Sequence, residues 1–226
     1  MTEMRLHTDG IRAAQSQWAS LSVDERADAL QTIAGAFADR AETIVARVCE
    51  ETQKSEVDAW FADLIPNIDL FTYWTTQGKR FLRDEKVSLS SLKFPGKVAR
   101  LRYEPKGIVG LITPWNYPVA LPLRSLIPAL LAGNAVLFKP SEVTPSTGDL
   151  LASIFNETLP GGLLTVVHGA KEAGEAVVDA SDHVIFIGSV QTGRAVAVRC
   201  AQALKTVSLE LGGKDAAVSN HLIELR

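Results

Sequence analysis

Apolar and polar positions change their period along the chain, and each period predicts a different architecture. Residues 11–82 read as helical, with Leu30, Ile33, Ala34, Phe37 and Ala38 recurring on one face. Three helix starts are signalled by a capping residue three positions before an acid: Ser22 and Glu25, Asp39 and Glu42, Ser55 and Asp58. Between residues 55 and 82, Trp60, Phe61, Leu64, Ile68, Phe71, Tyr73 and Trp74 form a stripe that reads as core, with a kink at Pro66. From residue 86 to 103 the pattern alternates. Val87, Leu89, Ser91, then Val98, Leu101 and Tyr103, flank a Pro95-Gly96 turn, which predicts a two-stranded ribbon. On the pattern alone it reads as a surface hairpin folded on its own domain.

Beyond residue 106 short apolar runs alternate with helical segments. Residues 107–112 form a buried strand, closed by the stiff loop Thr113-Pro114-Trp115-Asn116-Tyr117-Pro118. An apolar helix over 119–132 stops at Gly133-Asn134, and a second strand over 135–138 delivers Lys139, Pro140, Ser141 and Glu142 to the same edge. A helix opens at Thr144-Pro145, with Thr144 as N-cap, and runs to about residue 159. A strand over 163–168, a helix over 172–178 and a strand over 183–187 follow. The glycine loop Gly188-Ser189-Val190-Gln191-Thr192-Gly193, a helix over 194–203 and a strand over 207–211 complete the series. Residues 215–218 read as a strand start, and 219–226 continue no pattern. Alternation of this kind implies an α/β fold: a mostly parallel sheet with helices on both faces, binding ligands at the strands' carboxyl ends.

Composition narrows the function classes. The 226 residues carry a net charge of −3 with scattered basic positions, which argues against a nucleic-acid footprint. The N-terminus has no apolar signal-peptide region, and the most apolar stretch is too short to span a bilayer. The two cysteines, Cys49 and Cys200, and the four histidines show no metal-ligand spacing, and cysteine usage fits a reducing, cytoplasmic setting.

Four places carry candidate chemistry. Asn116, a neutral amide on a stiff loop, suits a donor to a developing oxyanion, or simply stabilises a proline-flanked turn. Lys139 and Glu142 suit a nucleotide ribose, with the acid repelling a 2′-phosphate, or form a solvated pair. Gly188 to Gly193 opens a helix after a strand and lets a pyrophosphate approach, although its spacing is neither GxGxxG nor a Walker A. Glu210 is an acid ending a strand, and Gly212-Gly213 after it permits close approach of a ligand.

Taken together, LITPWNYP, NAVLFKPSE, FIGSVQTGR and SLELGGK resemble the aldehyde dehydrogenase superfamily in order and spacing, from about Ala13 to Lys214. The resemblance covers roughly the first half of a typical member. It implies a Rossmann-like domain that binds NAD in preference to NADP and takes part in NAD(P)-dependent oxidation of an aldehyde to a carboxylic acid. It implies Asn116 as oxyanion donor and Glu210 as base. The cofactor residues implied are Ile112, Thr113, Pro114, Trp115, Lys139, Ser141, Glu142, Gly188, Ser189, Gly193, Leu211 and Gly212, with no metal. The family's nucleophilic cysteine follows the glutamate by about three dozen residues, whereas sixteen residues without a cysteine follow Glu210. The expectation is therefore a chain inactive alone, with a reading-frame change near Val218. The rival readings are one half of a split enzyme and a non-catalytic NAD-binding or interaction module. The expected organisation is a helical layer (1–85), a β-hairpin oligomerisation arm (86–104), an NAD-binding domain (105–218) and a tail (219–226). Family members are homo-oligomers, although the usual strand partners of the hairpin are not in this sequence.

Overall fold

The computed structural model describes residues 6–214, so the expectations for 215–218 and for the tail lie outside the described residues. The N-terminal layer contains α1 (Asp9–Ser20), α2 (Val23–Asp39) and α3 (Ala41–Thr52). Next come the short α4 (Glu56–Asp58), a π-helical turn (Ala59–Leu64), α5 (Ile65–Gln77) and a 3-10 segment (Gly78–Leu82). Ser22 and Glu25 form the expected reciprocal cap, and Ser55 accepts the Asp58 N–H. Asp39 does not cap. It is the last residue of α2, because Phe37 is fully buried and holds the helix against the core to its end; Arg40 then starts α3 without a side-chain cap.

Pro66 has no N–H for a carbonyl four residues back, and the π turn takes up the misfit, with Ile65 N–H bonded to the Trp60 carbonyl. The aromatic stripe is only partly core. Leu64 and Phe71 are fully buried, whereas Phe61, Ile68 and Tyr73 are exposed, because α5 has one face toward α2 and another toward solvent. Phe71 joins the layers: its ring lies 5.6 Å from that of Phe37 and 6.0 Å from that of Phe155.

The ribbon is shorter than its pattern predicts. β1 (Glu85–Val87) pairs antiparallel with β2 (Ala99–Leu101), while Leu89, Ser91, Val98 and Tyr103 lie outside the strands. Turns at Ser90 and Phe94 draw the intervening chain out of the ladder. Val87, Leu92, Phe94, Val98 and Leu101 are exposed, so the hairpin stands away from the domain's own surface.

The described parallel sheet contains β3 (Ile108–Ile112), β4 (Ala135–Lys139), β5 (Leu164–Val166), β6 (His183–Gly188) and β7 (Thr206–Leu211). Its order is β5-β4-β3-β6-β7. Four helices make the crossovers: α6 (Ala120–Leu131), α7 (Pro145–Asn156), α8 (Lys171–Ala180) and α9 (Val190–Gln202). The chain winds outward from β3 through β4 to β5, then crosses to build β6 and β7 on the other side. Right-handed crossovers in opposite directions place α6 and α7 on one face and α8 and α9 on the other. The helical layer of α2, α3 and α5 packs over α6 and α7. Every residue of β3 and β4 is buried, which is why those runs lack alternation. Gly133, at φ +89°, ends the α6 segment as expected. Asn134 then ties the base of the sheet by accepting the Gly107 N–H and donating to the Ala129 carbonyl.

Candidate functional site

The order of strands reverses between β3 and β6, so the crevice outside their carboxyl ends is where this topology places a ligand. The register aligns Ile112 with Lys139 on one side and with Phe186 on the other, and Ile187 with Glu210. Thr113 N–H bonds the Lys139 carbonyl at 3.2 Å, and Gly212 N–H bonds the Gly188 carbonyl at 3.3 Å, which extends the ladder to this edge. Two strand spacings separate β3 from β7, about 10 Å. Asn116, Lys139, Glu142, Ser189 and Glu210 therefore gather along one rim although they are far apart in sequence.

Their environments differ. Ile112 and Thr113 are buried, so their outward contribution is backbone, while Trp115 and Asn116 are exposed on the loop. Lys139 is buried, and its Nζ donates to the Pro140 carbonyl at 3.1 Å and to Glu142 Oε2 at 3.2 Å. The alternative of a solvated pair holds only at Glu142. That carboxylate accepts its own backbone N–H, which outweighs partial burial and, with Lys139, holds it below the usual carboxylate range. Ser141 is buried and accepts the Val143 N–H. Glu210 is exposed on β7, the outermost strand on that side among the described residues.

The glycine segment is corrected most. α9 begins at Val190, four residues earlier than the pattern predicted, with Ser189 as N-cap accepting the Thr192 N–H at 3.2 Å. Gly193 lies inside the helix rather than in a loop. A Cβ on it would come within 2.5 Å of Leu211 Cδ2, so this glycine serves the close packing of α9 on β7. What faces the rim is the first turn of α9, whose free N–H groups and partial positive charge favour an anion. Gly212 and Gly213 are of another kind. A Cβ at either meets nothing within 4 Å, so no packing demands a glycine, and their smallness leaves clearance at the rim. This open rim, a helix N-terminus and an ionised Glu142 fit a dinucleotide.

Three side chains outside the expected set hold this rim. Asp63, in the π turn, accepts the Val119 and Ala120 N–H groups at 3.2 and 3.1 Å, and pairs with Lys54 at 2.6 Å. Glu51, at the end of α3, accepts Ser146 N–H, Thr147 N–H and the Thr147 hydroxyl at 2.8, 2.9 and 2.6 Å. Glu51 therefore caps α7 in place of Thr144, whose hydroxyl is buried without a partner. A lone acid inside an apolar stripe was the available signal for Asp63; nothing local marks Glu51.

Neither thiol is among the side chains gathered at the rim. Cys49 sits in α3, and Cys200 is fully buried near the far end of α9. Burial raises the pKa of both, the opposite of an activated nucleophile. Among the described residues no group of three or more His, Cys, Asp or Glu side chains could hold a metal, and no helix is long and apolar enough to cross a membrane.

Known proteins resemble this chain in sequence and fold. The sequence profile of the aldehyde dehydrogenase family matches residues 5–221. A 4,4'-diapolycopene aldehyde oxidase of Methylomonas sp is 39% identical over 206 residues, 90% of this chain and 39% of that protein. An N-succinylglutamate 5-semialdehyde dehydrogenase of Caulobacter vibrioides is 37% identical over 212 residues, 89% of this chain and 42% of that protein. Among solved structures, betaine aldehyde dehydrogenase from Staphylococcus aureus in complex with NAD+ superposes with a TM-score of 0.84 at 27% identity, covering 90% of this chain and 41% of that one. The chain spans about two fifths of the length of the curated relatives it matches. With the profile covering nearly all of its residues, and the fold and the four motifs in agreement, the chain belongs to the aldehyde dehydrogenase family.

Proposed function

We propose that this chain supplies the cofactor-binding part of an NAD(P)-dependent aldehyde dehydrogenase, with NAD preferred. The observation that carries the reading is the convergence of Asn116, Glu142, the α9 N-terminus and Glu210 on the rim at the strand reversal. In this reading the first turn of α9, with the backbone of residues 112–115, 188 and 211–212, holds the pyrophosphate and nicotinamide portions. Lys139, Ser141 and Glu142 take the adenosine ribose. The dinucleotide supplies a two-electron acceptor. Asn116 donates its amide hydrogens to the oxygen of an aldehyde carbon as it becomes tetrahedral, which lowers the barrier without a proton transfer. Glu210, exposed at the rim, accepts a proton from the attacking thiol or water.

In this reading the thiol is supplied neither by Cys49, half-buried in α3, nor by Cys200, buried in α9, and desolvation raises the pKa of both, so the chain alone is inactive in aldehyde oxidation. The substrate is an aldehyde, and a second copy is the partner for the exposed hairpin. A non-catalytic NAD-binding module is the rival reading.

Titration of the purified chain with NAD and NADP by calorimetry, and an assay for NADH formation from propanal, test the proposal together. NAD is expected to bind more tightly than NADP, and NADH formation to stay at the buffer rate. Glu142→Ser is expected to narrow the NAD preference about three- to tenfold, the size of one partly screened like-charge contact. Equal affinity for NAD and NADP in the unmutated chain removes Glu142 from the site. Sustained NADH production refutes the inactivity.

A further inference from the structure

The loop carrying Asn116 is gripped from outside the sheet. Asp63 is 1% exposed, and one of its oxygens accepts two successive N–H groups, Val119 and Ala120, where α6 begins. Its other oxygen takes Lys54 Nζ at 2.6 Å, and the Lys54 side chain is only 18% exposed. The same Nζ stands 4.1 Å from the ring centroid of Tyr117, the residue directly after Asn116. The Asn67 amide donates to the Asp63 carbonyl at 2.6 Å, fixing the π turn from which Asp63 reaches.

Stability alone does not account for this arrangement. Removing a carboxylate and an ammonium from water costs several kcal/mol per ion, and well-packed apolar residues often replace such a pair without loss. A serine or asparagine within the loop would satisfy the same N–H groups with no buried charge. What the ion pair does provide is two anchors on the C-terminal side of one residue. The Asp63 carboxylate fixes the start of α6, and the Lys54 ammonium fixes Tyr117. The N-terminal side is already fixed by the bond from Thr113 N–H to the Lys139 carbonyl. Asn116 lies between these points with its side chain exposed. A single-turn π-helix at such a place is a recurrent mark of function.

We infer that Lys54 and Asp63 are positioning residues whose role is to set the Asn116 amide at the rim. The catalytic meaning of that placement rests on the function proposed above; the placement itself does not.

The test uses the intact chain and the double variant Lys54→Met/Asp63→Leu, which leaves no unpaired buried charge and so avoids the collapse expected of either single change. Hydrogen exchange followed by mass spectrometry reads the loop, urea denaturation reads the whole fold, and the side-chain amide resonance of Asn116 in a 15N spectrum reads its surroundings. The expected result is exchange over residues 113–121 faster by about tenfold or more, with peptides from β4, β6 and α2 unchanged. The urea midpoint is expected to fall modestly, because the Val119 and Ala120 N–H groups lose their acceptor, while unfolding stays a single transition, and the Asn116 resonance is expected to shift. Unchanged exchange over 113–121 overturns the inference, and so does a uniform rise across all peptides, which marks the pair as general support. A double variant that does not fold also overturns it, since the pair is then required by the fold itself. NAD titration of the unmutated chain reports separately on the proposed function, so selective loop release without NAD binding leaves the positioning intact and refutes the cofactor reading.

Discussion

Gly107, at the base of β3, shows how much one atom can matter. Its φ of +113° suits glycine, and a Cβ there would run into Asp182 Oδ2. The Asp182 carboxylate accepts the Ile108 N–H at 2.8 Å and two Arg12 bonds at 2.9 and 3.0 Å, tying α1 to the start of the central strand. Gly107→Ala is expected to destabilise the fold by about 1–3 kcal/mol from backbone strain alone. A lower urea midpoint with unchanged NAD affinity is the expected pair of readings, because Gly107 lies at the sheet edge opposite the rim. Residues of this kind divide what sequence can reveal. Asn116 and Glu142 were legible because each stands at a strand exit marked by its own neighbours. Asp63 and Lys54 were not, because Asp63 meets Val119 and Ala120, and Lys54 meets Tyr117, across more than fifty positions of sequence. Gly193 was legible as a glycine but misplaced. Ser189 with Thr192 was the local cap that starts the helix earlier.

The helix α7 carries the same lesson at the level of an element. Thr144-Pro145 marks its start correctly, since proline suits the first helical position. The cap, however, arrives from α3, as Glu51, across 95 positions of sequence. Partial burial pushes the Glu51 pKa up, but the bonds from Thr147 and Ser146 outweigh it and leave the carboxyl below its ordinary value. A folded-state pKa below the unfolded one means that this stabilisation is fully present above the unfolded value. It is lost as pH falls from about 4.5, through the lower folded value. Glu51→Gln is therefore expected to lower stability at pH 7 by about 1 kcal/mol, as for loss of a charged cap, and to flatten the acid limb of the stability profile. Thermal unfolding across pH 3 to 7 checks both. The buried strands β3 and β4 were legible end to end because full burial leaves an unbroken apolar run. The ribbon strands were overestimated because alternation continues through Leu89 and Ser91, where the backbone already turns away.

For the whole molecule, the hairpin is the feature that a single copy leaves unexplained. Leu92 is 92% exposed, and Phe94, Val98 and Leu101 are exposed with it, a concentration of apolar side chains on β2 and the segment that joins it to β1. In the reading proposed above this is an assembly surface. Leu92→Lys/Val98→Lys is expected to abolish self-association in sedimentation velocity while the melting temperature stays unchanged, because neither side chain supports the core. Another property of the whole follows from strand order. β3 is the earliest strand of the parallel sheet to be synthesised, yet it sits in the middle and receives β6 only after the 74 positions between Ile108 and Asp182 have been added. At ribosomal rates of about 5–20 residues per second, one flank of Ile-Val-Gly-Leu-Ile stays unpaired for roughly 4–15 s. An uncovered apolar strand edge is a template for wrong pairing. The winding that opens a crevice for a ligand thus also leaves a vulnerable interval during birth of the chain.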